Sequence, residues 1–259
     1  MKTGAKVLLG IPYYPMAGYR GECVSNIDGG VDPKGENQYV THYRGDSFLA
    51  RGFNSLWCYA LNNRKARKFT HFAMLHSDVN PRTEFWMDVM LKEMEYNNAD
   101  LLSVVLPVKT SHGFTSTAIR NQHTGNVRRI TMKELHKIPL KTFDGACAAD
   151  AMGLGSIYND WHILTSTGLW ICKFTEDWVE KVWFTVKDKI YKKSNGEFHF
   201  DIGPDDWMFA VKLHKLGLKL VATKAITCGH FGVHEYMNDE PWGVLEKDDT
   251  TANYRWAED

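Results

Sequence analysis

Residues 5–11 read AKVLLGI, a continuous apolar run broken by one lysine, and they lead into Pro12-Tyr13-Tyr14-Pro15. A short apolar stretch ended by prolines is the pattern of a strand buried on both faces of a parallel sheet. The glycine-dotted loop that follows, through about residue 45, lies where open α/β sheets bind ligands, beyond the carboxyl end of a strand. Residues 46–62, DSFLARGFNSLWCYALN, predict a helix with Phe48, Phe53, Leu56, Trp57 and Ala60 near one face. A second strand, about 70–75, runs into His76-Ser77-Asp78. Asn80 followed by Pro81 predicts a helix start, a capping side chain and then proline in the first turn. That helix directs Phe85, Trp86, Val89, Met90 and Met94 inward, and LLSVVLPV (101–108) is a third buried strand. The order β-loop-α-β-α-β argues for an α/β chain whose mostly parallel sheet is covered on both faces.

The second half is less regular. Residues 110–160, rich in Thr, His, Asn and Gly, read as hairpins and loops. TSTGLWICKF (165–174) predicts a strand, EDWVEKVWF (176–184) a helix, and the lysine-rich stretch around Gly196 a loop. A helix from about 205 stops near Gly217, a left-handed cap, and LKLVAT (218–223) is the next strand. The tail from about 236 has no periodic pattern.

The chain has 259 residues, enough for one large α/β domain with a full core. Lys plus Arg equals Asp plus Glu, 31 each, so a polyanion partner would have to meet a local patch such as 64–68, 128–129 or 187–193. The five cysteines form no CxxC pair, which argues against a disulfide framework or a thiolate zinc site. No stretch approaches the roughly 18 apolar residues of a membrane span, and the opening run is too short for a signal peptide. The expectation is a cytoplasmic protein.

Three groups carry candidate chemistry. Asp78, at the end of a buried strand, faces the ligand crevice and is either an oxygen ligand for Mg²⁺ or Mn²⁺ or a support for the helix start after it. Asp205 and Asp206 in GPDDW are either a general base with its companion or an acidic pair favoured by a helix dipole. His230, flanked by glycines in CGHFGVH, is either a metal ligand or structural, and the chain has no HExxH zinc motif.

Taken in order, these groups resemble the GT-A family of nucleotide-sugar glycosyltransferases, in particular its family-2-like members. GIPYYP resembles the nucleotide loop after the first strand, and LARGFN the Arg-Asn segment of the next helix, through Arg51 and Asn54. HSD resembles the DxD metal motif with Asp78 as its last acid, His76 standing in place of the first. LTSTGLW resembles the acceptor-side glycine strand, through Gly168; PDDWMF the acidic pair; GHFG the late metal-binding histidine. The likeness spans about residues 5–234, and the missing QxxRW favours single transfer over processive synthesis.

The resemblance implies a single GT-A domain with a nucleotide-sugar-binding half (1–109), an acceptor and catalytic half (110–235) and a C-terminal tail (236–259). It implies a nucleoside diphosphate-sugar donor, UDP first, and a divalent metal, Mn²⁺ or Mg²⁺, on Asp78 and His230. Asp206 would be the base of an inverting transfer and Asp205 its positioning partner. Pro12, Tyr13, Tyr14, Arg51, Asn54, His76, Ser77 and Gly168 would line the donor site, a tyrosine stacking on the nucleobase. The acceptor stays open among a glycan, a protein, a small molecule and a hydroxymethylated base in DNA. A nucleotidyltransferase and a non-catalytic nucleotide-sugar-binding module are the rival readings.

Overall fold

The computed structural model describes residues 4–14, 27–155 and 160–248, and the backbone of 252–253. Its centre is a seven-stranded sheet. In chain order its strands are β1 (Lys6–Tyr13), β2 (Gln38–Gly45), β3 (His71–Leu75), β5 (Leu101–Val104), β8 (Thr142–Phe143), β10 (Leu169–Lys173) and β13 (Leu220–Thr223). They lie in the order β2-β1-β3-β10-β5-β13-β8. Only β10 and β8 run against the others, so the sheet is mixed and mostly parallel. Helices flank it: α1 (Leu49–Arg67), α2 (Trp86–Tyr96), α3 (Met132–Lys137), α4 (Gly145–Ala151) and α5 (Asp205–Lys215). This is the α/β architecture that the GT-A resemblance implies.

Strand alternation sends side chains into two cores. On the α1 face, Leu8, Phe72, Met74 and Trp170 pack with Phe53, Leu56, Trp57 and Ala60. On the α2 face, Val7, Leu9, Ile11, Ala73, Leu75 and Ile171 pack with Trp86, Met90 and Met94. Trp57 sits among Phe72, Phe174 and Phe209 and donates its indole N–H to the Val179 carbonyl at 3.0 Å. Of the nine tryptophans, Trp57, Trp86, Trp170, Trp178 and Trp207 are buried in the core.

Among the described residues, three smaller sheets stand beside the central one. β6 (Phe114–Asn121), β7 (Asn126–Thr131), β9 (Trp161–Leu164) and β16 (Ala252–Asn253) form one, and β11 (Lys187–Lys192) with β12 (Phe198–Gly203) forms a two-stranded ribbon. β4 (Val79–Pro81), β14 (Cys228–Phe231) and β15 (Glu235–Met237) form the third.

The structure corrects the local reading in several places. Part of the expected glycine-rich loop is β2, an edge strand whose Tyr39, Val40 and Thr41 favour the pleat. Asn80 and Pro81 do not open a helix; they belong to β4, and α2 starts at Trp86 behind Phe85 in a left-handed conformation (φ 51°). The first helix starts at Leu49 and leaves Phe48 exposed. Residues 176–184 hold one 3₁₀ turn, Asp177–Glu180, because Val179, Val182 and Phe184 are buried from an extended path rather than a helical face. The stretch around Gly196 is the ribbon, and the tail contributes β15 and β16. Helix α5 ends as expected, with Gly217 at φ +75°.

Candidate active site

Asp78 and His230 meet because β4 pairs with β14. His230 lies opposite Val79, and the Phe231 N–H donates to the Asp78 carbonyl at 2.8 Å. The His230 Nε2 stands 3.6 Å from Asp78 Oδ2. Its other nitrogen, Nδ1, is 2.8 Å from the Pro107 carbonyl, which can only accept. Nδ1 therefore carries a proton and donates to that carbonyl, which turns Nε2 toward the carboxylate, as second-shell carbonyls orient imidazoles in metal sites. Lys109 forms an ion pair with the same carboxylate oxygen.

Burial alone would raise the Asp78 carboxyl. The His230 imidazole beside it and the charges of His76, His230 and Lys109 outweigh it and hold the group well below the usual carboxylate range. His76 behaves oppositely: burial lowers its imidazole to about 4, and its Nε2 is buried without a hydrogen-bond partner. At neutral pH it is uncharged, gaining its charge only in the acid range where Asp78 titrates, and it packs against Phe53.

The rest of the expected donor site gathers partly around this turn. The Ser77 N–H donates to the Pro12 carbonyl at 3.4 Å and the His76 N–H to the Gly168 carbonyl at 2.8 Å. A Cβ at Gly168 would lie 2.3 Å from Leu106 Cδ1, so any larger residue there would have to displace that buried side chain. Tyr13 lies against Gly45, and Tyr14 is half exposed. Arg51 is exposed and bonds Asp46 at 2.8 Å. Asn54 plays a structural part, with both ends of its amide bonded to the Phe184 backbone at 2.8 Å each. Pro15 and the loop through Asn26 lie outside the described residues.

The acidic pair opens α5. Asp205 Oδ1 accepts from the Asp206 N–H at 3.0 Å, and Asp206 Oδ1 from the Trp207 N–H at 2.8 Å. Burial pushes the Asp205 carboxyl up. Burial and then the Asp205 charge push Asp206 up to about 7, against the Trp207 hydrogen bond and Arg129. A carboxyl that titrates near neutrality is suited to take a proton at physiological pH.

One segment ties the acid pair to the Asp78 cluster. Residues 106–108 pair with the start of β6 through the Ser116 N–H to Leu106 carbonyl bond at 2.9 Å and the Val108 N–H to Phe114 carbonyl bond at 2.7 Å. Pro107 holds His230, while the Ser116 carbonyl accepts from the Trp207 indole at 3.1 Å. Arg129 lies over the Trp207 ring at 4.9 Å.

Asp78 and His230 fit part of the shell of a hard divalent cation, one carboxylate and one imidazole aimed at the same point. Among the described residues no cluster of three or more His, Cys, Asp or Glu could hold a metal. Two protein ligands leave room for diphosphate oxygens, the usual way Mg²⁺ is shared between protein and nucleotide. Lys109 and the Pro107 carbonyl were not singled out from the sequence, and Arg129 only as half of the basic pair 128–129. Lys109 carried a signal of its own, a lysine just past the carboxyl end of a buried strand.

No helix of the described residues is long and apolar enough to cross a membrane. No family model matches the chain, and no curated protein sequence matches it. Among solved structures it is similar to A197 from STIV, with a TM-score of 0.48 and 14% identity over 96% of this chain and 100% of that one. It is also similar to S. aureus TarS 1–349, with a TM-score of 0.42 and 12% identity over 85% of this chain and 58% of that one. Likeness at this level assigns no activity.

Proposed function

We propose that the chain is a glycosyltransferase that moves a sugar from a nucleoside diphosphate-sugar to an acceptor hydroxyl with inversion, in the cytoplasm. The observation that carries the reading is the meeting of Asp78 and His230 at the end of β3, joined through residues 106–108 to an acid pair poised near neutrality. Asp78 and His230 would hold Mn²⁺ or Mg²⁺, which supplies charge neutralisation for the leaving diphosphate. Lys109 adds a second positive charge beside it. Asp206 takes the proton of the acceptor hydroxyl as that oxygen attacks the anomeric carbon from the face opposite the diphosphate. Asp205 holds the Asp206 backbone and keeps its carboxyl basic enough to accept that proton. Pro12, Ser77, His76 and Gly168 shape the backbone floor of the donor site, with Tyr13 or Tyr14 against the base and Arg51 near the nucleotide.

A UDP-sugar is the first donor to test. The acceptor panel spans glycans, proteins, small hydroxylic molecules and DNA carrying hydroxymethylated bases, the last of which would need the base flipped out. Mass spectrometry after incubation with nucleotide sugars and Mn²⁺ reads the added sugar on its acceptor. Nucleotidyl addition in place of a sugar, or no turnover of any donor, would overturn the reading.

A further inference from the structure

The ribbon β11–β12 leads directly into Pro204 and the acid pair, and one of its faces is apolar and exposed. Opposed residues in an antiparallel pair share a face. Asp188 pairs with Ile202, Ile190 with Phe200, and Lys192 with Phe198. The other face carries Lys189 opposite Asp201 and Tyr191 stacked on His199. On the first face Ile190 is 76% exposed, Phe198 73%, Phe200 66% and Ile202 47%. At about 200 Å² for a side chain of this size, these expose roughly 500 Å², toward the upper end for the largest patch on a typical monomer.

We infer that this face is a homodimer interface and that its occupant is the same face of a second copy. Charge placement supports this. Asp188 stands at one end of the face and Lys192 at the other, with Ile190 and Phe200 between them. A two-fold axis lying in the face and crossing the strands at Ile190 and Phe200 reverses the strand direction. It sets Asp188 of each copy over Lys192 of the other, Ile190 over Ile190, Phe200 over Phe200, and Ile202 over Phe198. This is an isologous contact, self-complementary in charge and in its apolar pairs. Two such faces remove about 1,000 Å² from water, the size at which specific interfaces begin. The balanced charge of the chain, 31 basic against 31 acidic residues, sets up no long-range repulsion between copies. A lipid or nucleic-acid partner fits less well, since Asp188 stands within the face and Glu197 at the ribbon tip.

Sedimentation velocity of the full chain over a range of concentrations tests this. The expected species is a dimer of the 29.7 kDa chain, and Phe198→Ser with Phe200→Ser leaves a monomer with an unchanged circular dichroism spectrum. Asp188→Lys or Lys192→Asp alone weakens the dimer by roughly tenfold or more, because the reversed charge meets a like charge at two symmetric places. The double variant Asp188→Lys, Lys192→Asp restores it, which a general loss of folding would not do. A wild-type monomer at every concentration, or a double variant no better than the singles, overturns the proposal. So does a monomer that pellets with anionic vesicles or binds DNA through Phe198 and Phe200.

Discussion

Asp78 and Asp206 are the same side chain placed in opposite electrostatic settings. Both are desolvated, which by itself raises a carboxyl. Around Asp78 stand His76, His230 and Lys109, and their combined pull outweighs burial. Beside Asp206 stands a second carboxylate, which adds to burial, and Arg129 offsets only part of the rise. Burial pushes both carboxyls up, and only at Asp78 do the neighbours reverse it. One group stays anionic and can hold a cation; the other exchanges a proton near neutrality.

The largest test breaks the first half of this contrast. Asp78→Ala is expected to abolish both transfer and donor hydrolysis while the fold persists, because the side chain is part-exposed and anchors no core. Wild-type activity should vanish with EDTA and return with Mn²⁺. His230→Ala should weaken Mn²⁺ binding by calorimetry far more than His234→Ala, whose ring turns to Tyr236. Full activity in EDTA would remove Asp78 and His230 from metal binding together.

Asp206→Asn tests the other half. It should lower kcat by about 10²–10⁴-fold with donor KM nearly unchanged, the range for loss of a general base. The wild-type product should carry the inverted anomer by NMR coupling, and a retained anomer would rule out Asp206 as the single-displacement base. Stability follows from the same shift. The folded carboxyl titrates near 7 and an ordinary one near 3.8. Between these values the native state holds a proton that the unfolded chain has released. Stability from this group therefore falls as pH rises through that window and stays reduced above it. Asp206→Asn should raise Tm at pH 8 and leave it nearly unchanged at pH 4, a pattern that loss of packing would not produce.

Asp205→Asn sharpens the cause. Removing the adjacent charge lowers the Asp206 pKa, so the acidic limb of kcat/KM, expected near 7, moves to lower pH. An unmoved limb would leave burial as the sole source of the shift. The smallest effect is expected at Lys109. Its ammonium competes with a metal for the Asp78 oxygen, so Lys109→Met should tighten Mn²⁺ binding to the donor-free protein by roughly two- to fivefold, the scale of a part-exposed ion pair. Weaker binding would mean that Lys109 orients the carboxylate instead.

Some of this was legible along the chain and some was not. The apolar runs at 5–11, 70–75 and 101–108 became β1, β3 and β5, because a strand buried on both faces writes its burial into consecutive residues. The helices expected at 46–62 and from about 205 appear as Leu49–Arg67 and Asp205–Lys215, announced by spacing and, for the second, by Gly217. The strand Gln38–Gly45 did not, since an edge strand has a half-exposed, polar sequence. Asn80-Pro81 carried a sound local helix signal that lost to strand pairing, because Asn80 and Pro81 are buried against β14 and gain more there than at a helix start. Asn54 looked like a nucleotide contact by its place in the motif, yet an amide that bonds the Phe184 backbone twice is committed to holding that segment.

The sequence by itself determined which strands are buried, that the sheet is α/β, and which acids and histidines stand at element ends, because hydrophobic period and capping chemistry act within a few residues. Tertiary structure alone decided that His230 faces Asp78, that Lys109 joins them, that Asp205 and Asp206 lose water and rise in pKa, and that Ile190, Phe198, Phe200 and Ile202 share one bare face. Each of these depends on strand register or on exclusion of solvent, and both are set by packing between segments far apart in the chain, where no local window carries the energy.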